Sequence, residues 1–188
     1  DGDVFVVTYS GHGGQRPDTD DEESDGRDET WVLFDRQLID DELYERWGRF
    51  AAGVRVVVVS DSCHSGSVIK ATLDAYADAP GVVGAALPAM FADARAMPVD
   101  ANDEDNLRRQ ALYDTVKTAA AHERDVQLAA RVLLLSGCQD NQTSADGARN
   151  GKFTSTVLQV WGGGAFTGAY RRLFTTVKRR MPPWQTPN

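Results

Sequence analysis

The stretch "VRVVVVSDSCHSG" (residues 54–66) decides how the rest of the chain is read. A valine run without polar alternation fits a strand buried on both faces. It passes into small polar residues, and Cys63 stands at its open end with His64 directly after it. Two further runs have the same form. "VFVVTYS" (4–10) stops at "GHGG", and "RVLLLSGC" (131–138) opens into "QDNQ". Continuous apolar strands separated by helical segments indicate a parallel sheet covered on both faces, an α/β fold. In such sheets ligands sit beyond the carboxyl ends of the strands. All three runs end there in polar residues and glycine, so a site is expected at that edge.

The segments between the strands are read by their punctuation. "TWVLF" (30–34) is a short strand. Asp40 is placed to cap a helix that carries Leu43, Tyr44 and Trp47 on one face and ends near Gly53. Residues 67–105 are rich in Ala, Pro, Gly and Asp, which predicts a long linker with a helical turn or two. A helix is expected over 106–124, with Leu107, Leu112, Tyr113 and Val116 as its apolar face. Two more are expected over 153–161 and 165–181, separated by "GGG" and followed by an extended "MPPWQTPN".

The chain has 188 residues, enough for one domain, 1–188, with a sizeable core. It divides into 1–66 with the first two strands, a variable linker over 67–130, and 131–188. A net charge of −8 argues against nucleic acid as a partner. The charge is uneven: "DTDDEESDGRDE" (18–29) holds eight acids, and "YRRLFTTVKRR" (170–180) five bases and no acid. No apolar run approaches the roughly 20 residues that span a bilayer, so no membrane partner is expected. The two cysteines make no disulfide framework, which points to a reducing, cytoplasmic setting. The chain opens "DGDVFVV" without a methionine, and an upstream segment carrying any localisation signal is expected.

Cys63 is walled by Ser62, His64, Ser65 and Gly66 rather than by apolar residues. A thiolate at a strand end can be stabilised by nearby N–H groups and a protonated histidine, so Cys63 is read as a nucleophile rather than a small core residue. His12 is the better base, because it also follows a strand end and its flanking glycines let backbone approach a substrate. Successive residues of an extended segment point apart, so His64 is read as structural. His122 is read as solvated surface. Cysteine and histidine with nearby backbone donors fit acyl transfer through a thioester, with Gly13 and Cys63 N–H groups as the oxyanion hole. Asp61 shares a strand face with Cys63. It either meets a substrate Arg or Lys or braces a loop by accepting backbone N–H bonds. The acidic loop places Asp18, Asp20, Glu22 and Glu29 at EF-hand positions, but Glu23 stands where the turn glycine belongs and strands flank it, so a solvated loop is the simpler reading.

"YSGHGG" followed by "DSCHSG" resembles the histidine and cysteine motifs of caspase-like cysteine peptidases, specifically metacaspases and their bacterial relatives. "DGRDETWVLFD", "IDDELYERW", "SGCQDNQTSAD", "NGKFTSTVLQVW" and "MPPWQTPN" resemble further segments of that family, while 67–130 match weakly. The resemblance implies a caspase-like three-layer α/β/α sandwich around a mostly parallel sheet, apparently truncated at both ends. It implies His12 and Cys63 as the catalytic dyad of a cysteine endopeptidase, and Asp61 with Ser10 in a pocket for a basic P1 residue. No cofactor is implied for the chemistry, but calcium is implied as an activator, with Asp28, Asp40 and Asp41 as the matching acids. Lys70 stands near the place of a further family aspartate, which weakens that site. The implied partners are peptides or proteins with a basic P1 residue. Self-processing is implied in the segment holding Arg95, Arg108, Arg109, Lys117 and Arg124. The alternative is a catalytically silent caspase-like domain used for partner binding or signalling. A calcium-binding regulatory module is a third.

Overall fold

The computed structural model describes residues 2–19, 26–63, 95–120, 126–138 and 151–188. The expectations for His64, Lys70, His122 and Arg124 lie outside those residues, as do Asp20 and Glu22. The three apolar runs form one parallel sheet of β1 (Val4–Ser10), β5 (Arg55–Asp61) and β6 (Arg131–Ser136), in the order β1-β5-β6. The valine strand is the central one. Ser10 lies opposite Asp61 and Ser60 opposite Ser136, so the polar ends meet at one edge.

Helices pack on both faces, but only β5 is buried as expected. Val4, Phe5 and Val6 of β1 and Leu134 of β6 are exposed, because the helices lie over the central strand and leave parts of its neighbours uncovered. On one face, Leu43, Tyr44 and Trp47 of α1 (Asp40–Gly48) pack on Val56, Val58 and Val132. On the other, α4 (Lys152–Trp161) and α5 (Tyr170–Arg180) bring Phe153, Val157, Phe174 and Val177 against Val59, Leu133 and Leu135. Gly162, Gly163 and Gly164 all have positive φ, which ends α4 as "GGG" suggested.

A second sheet was only partly legible. β2 (Gly13–Pro17), β3 (Arg27–Val32) and β4 (Gln37–Ile39) are antiparallel neighbours in that order. β2 has the composition of a loop, "GGQRP", yet Gln15 and Arg16 are buried because helices cover them. The strand expected over 30–34 lies at 27–32 instead, and Phe34 is fully exposed. The acidic run 18–29 is not wholly a solvated loop: Asp28 and Glu29 belong to β3, and the Asp18 and Asp28 side chains are buried because Lys117 supplies a cation between them.

Helix boundaries also differ. Asp40 opens α1 but does not cap it; Ile39 is the cap residue, its N–H reaching Glu42 Oε1 at 3.3 Å, and α1 ends at Gly48 rather than near Gly53. Arg36 grips both oxygens of Glu42 at 2.6 and 2.8 Å, fixing that turn. The helix expected over 106–124 is two, α2 (Val99–Arg108) and α3 (Gln110–Ala119), broken at Arg109. The linker reading of 67–105 missed the start of α2 because the residues it buries, Asn102 and Asp105, are polar. Leu107 and Leu112, expected on the buried face, are exposed; Tyr113 is buried.

Polar bonds hold α2 and α3 to the second sheet. Asn102 brackets Gln15, accepting from its N–H at 3.2 Å and donating to its C=O at 2.8 Å. The Tyr113 hydroxyl accepts the Gln37 N–H at 2.9 Å and donates to Asp105 at 2.6 Å, while the Arg16 guanidinium lies 4.2 Å above its ring. The Gln37 N–H would lose its buried partner in Tyr113→Phe. That variant should lose about 1–3 kcal/mol of stability, read as a lower urea midpoint with unchanged slope.

Candidate active site

Parallel pairing of β1 with β5 brings the His12 and Cys63 segments out at the same edge. The Gly11 N–H donates to the Asp61 C=O at 3.3 Å, tying the two exits together. The His12 C=O accepts from the Val32 N–H at 3.0 Å and shares the Tyr9 hydroxyl, at 2.7 Å, with the Val32 C=O at 2.9 Å. Tyr9 stacks on Trp31 with ring centroids 4.6 Å apart. Burial pushes its hydroxyl up to about 12, against the opposing pull of the Val32 bond and the Arg95 charge, so it stays a proton donor. The backbone of His12 is therefore fixed while the residue itself is exposed.

Cys63 is fully buried, packed with Ala96 and Cys138. Its N–H donates to the Arg95 C=O at 3.0 Å, and the Gly13 N–H donates to the same oxygen at 2.9 Å. The two groups expected to form an oxyanion hole thus converge on one carbonyl of the chain itself. The Met97 N–H returns a bond to the Gly13 C=O at 2.7 Å.

The Arg95 side chain continues the arrangement. Its Nη1 donates to Ser10 Oγ at 2.5 Å and to the Asp61 C=O at 3.1 Å, and lies 3.7 Å from Asp61 Oδ2. Asp61 is fully buried, and Oδ2 also accepts from Thr154 N–H at 3.0 Å and Oγ1 at 2.6 Å. Asp61 thus braces the start of α4 and faces a guanidinium supplied by the chain itself. A Cβ at Gly151 would collide with Asp61 Oδ2 and lie 2.8 Å from Arg95 Cζ, so this pocket admits no side chain there.

Sequence reasoning missed Gly151 and Thr154, which lie about ninety positions from Asp61. Arg95 was one of five basic residues in its segment, and nothing in "DARAMP" singles it out.

The carboxylates of Asp28, Asp40 and Asp41 offer oxygens within 4.8 Å of one another. A cation from the chain already lies among the acids. Lys117 Nζ is 2.5 Å from Asp28, 3.2 Å from Asp18 and 3.4 Å from Asp41. Burial pushes Asp28 up to about 6, against the pull of Lys117 and with help from the neighbouring carboxylates. Burial draws Lys117 down, but the bonds and charges of Asp28, Asp41 and Asp18 outweigh it and the net shift is upward. Lys117 is thus buried in an acid cluster and not presented as a self-processing point.

The family model of the caspase domain matches residues 1–188. The chain belongs to the caspase family. It resembles metacaspases in particular. Metacaspase-1 of Schizosaccharomyces pombe is 33% identical over 188 residues, covering 92% of this chain and 42% of the yeast protein. Metacaspase-1 of Saccharomyces cerevisiae is 33% identical over 187 residues, covering 85% and 40%. The chain spans about two fifths of the length of these relatives. Among solved structures, protein GSU0716 from Geobacter sulfurreducens is 48% identical with a TM-score of 0.80, over 100% of this chain and 65% of that one. The expected metacaspase-like α/β fold therefore stands. Among the described residues no helix is long and apolar enough to cross a membrane.

Ala96 covers Cys63, and Arg95 anchors Ala96. Arg95→Ala should expose the thiol, raising its iodoacetamide labelling at least about tenfold over Cys138 in the same molecule, read by peptide mass spectrometry.

Proposed function

We propose that this protein is a cysteine endopeptidase that cleaves after arginine or lysine. The observation that carries the reading is Arg95. Its carbonyl oxygen takes both the Gly13 and Cys63 N–H groups, and its guanidinium lies against Ser10 and Asp61. A peptide substrate with a basic P1 residue would make the same contacts. A buried carboxylate needs a cation, which favours Arg or Lys over an acidic P1 residue.

Each group has a defined task in this reading. The Cys63 thiolate attacks the P1 carbonyl carbon, forming a C–S bond as the C=O electron pair moves onto oxygen. The Gly13 and Cys63 N–H groups hold that oxyanion, each contributing roughly 3 kcal/mol to the transition state. His12 carries the proton taken from the Cys63 thiol and gives it to the leaving amine nitrogen as the C–N bond breaks. It then draws a proton from the water whose oxygen attacks the thioester carbonyl, and the C–S bond breaks to restore the Cys63–His12 pair. No metal or organic cofactor enters these steps. Partners are peptides or proteins bearing a basic residue at the cut.

The chain's own Arg95–Ala96 bond is the first substrate in this reading. Incubation of the full natural chain should yield a new N-terminus at Ala96, and Cys63→Ala should abolish it. On peptides, Arg-P1 should be turned over far faster than Asp-P1, and His12→Ala should lower kcat by about 10²–10⁴. Gly151→Ala, which crowds Asp61, should lower kcat/KM on Arg-P1 by at least about tenfold, a loss of 1.4 kcal/mol. Equal turnover of Arg-P1 and Asp-P1 peptides would sink the pocket assignment. The burial of Cys63 under Ala96 favours a second reading, a silent caspase-like domain used for partner binding. It would show neither the Ala96 terminus nor peptide turnover after the Arg95 segment is released.

A further inference from the structure

We propose that Lys117 is the resident cation of the Asp18, Asp28 and Asp41 cluster, and that its ammonium takes the place in which a divalent ion would sit. The inference rests on geometry and is independent of peptidase activity. An ammonium carries three N–H donors, and three carboxylate oxygens lie within 3.4 Å of Lys117 Nζ. The side chain is only 9% exposed, and the carboxylates of Asp18, Asp28 and Asp41 are 1%, 3% and 8% exposed. Nζ donates to Asp28 and Asp18 and lies beside Asp41, in a largely buried cluster rather than a surface contact, where an ion pair contributes little.

The cluster so filled does not fit calcium. Calcium takes six to eight oxygen ligands at roughly 2.3–2.6 Å. Calcium held by Asp28 and Asp41 would sit on carboxylates that already face the ammonium, although Asp28 Oδ2 points away from it, and a divalent ion a few ångströms from a buried ammonium is repelled. The lysine is one helical turn from Tyr113, whose hydroxyl bonds the Gln37 N–H, so the backbone that carries Lys117 is pinned to the same sheet as Asp28.

The consequence reaches the candidate active site through the chain. Lys117 fastens α3 to β3 and the start of α1, Asn102 fastens α2 to β2, and Ala96 is bridged to Gly13. The segment 95–120 is thereby clipped along the sheet that begins at Gly13, with a built-in ammonium where a soluble cation would otherwise be needed. Lys117 is a positioning residue for that segment.

The test is calcium titration of the full natural chain by calorimetry, with the wild type and Lys117→Met side by side. Wild type should bind calcium only at millimolar levels or not at all, and Lys117→Met should gain at least about tenfold in affinity. Lys117→Arg, which keeps the charge, should behave as wild type. Equal affinity in wild type and Lys117→Met, whether both bind or neither does, overturns the proposal. A second readout needs no variant. Acylation of Lys117 in the wild type should be slow and unchanged by millimolar calcium. A calcium-induced rise in Lys117 labelling, read by mass spectrometry, would overturn it even if Lys117→Met failed to fold.

Discussion

The parallel pairing of β1 with β5 is the constraint on which everything else depends. Its register sets Ser10 beside Asp61, and from that point the two strands run on to His12 and Cys63. A slip of one residue would turn every inward side chain to the opposite face. Val56 and Val58 would then leave α1, and the Gly13 and Cys63 N–H groups would no longer converge on one oxygen. Packing and site geometry are thus fixed by the same ladder of backbone bonds.

The segment 95–120 depends on that ladder in a different way. It buries little apolar surface: Asn102, Asp105, Tyr113 and Lys117 make its contacts with the second sheet largely through polar atoms. Such contacts are directional, so they specify one placement where an apolar face would tolerate several. Arg95 is carried to Ser10 and Asp61 at one end of the segment, and Lys117 is carried to the acids at the other. At both ends a cation supplied by the chain meets a buried carboxylate.

The central sheet was legible because its strands are apolar without interruption, but burial on both faces holds for the central "VVVV" strand and not for β1, nor for Leu134 of "VLLL". The second sheet was not. "GGQRP" carries no period, and Gln15 and Arg16 are buried only because α2 and α3 lie over them. α2 was read as linker for the same reason, since a helix that buries asparagine and aspartate leaves no hydrophobic trace. Of the site, Cys63, His12, Gly13, Asp61 and Ser10 could be named from strand ends and from resemblance. Gly151 and Thr154 could not, because their contact with Asp61 is made across the sheet edge.

The sequence by itself determined which runs form the central sheet, where their polar ends fall and that a cysteine stands at one of them. These follow from local composition, which each short segment carries alone. Only the tertiary structure decided which of several arginines faces Asp61, and which lysine lies among the aspartates. Those choices are made between residues tens of positions apart, by distances of a few ångströms that no local pattern encodes.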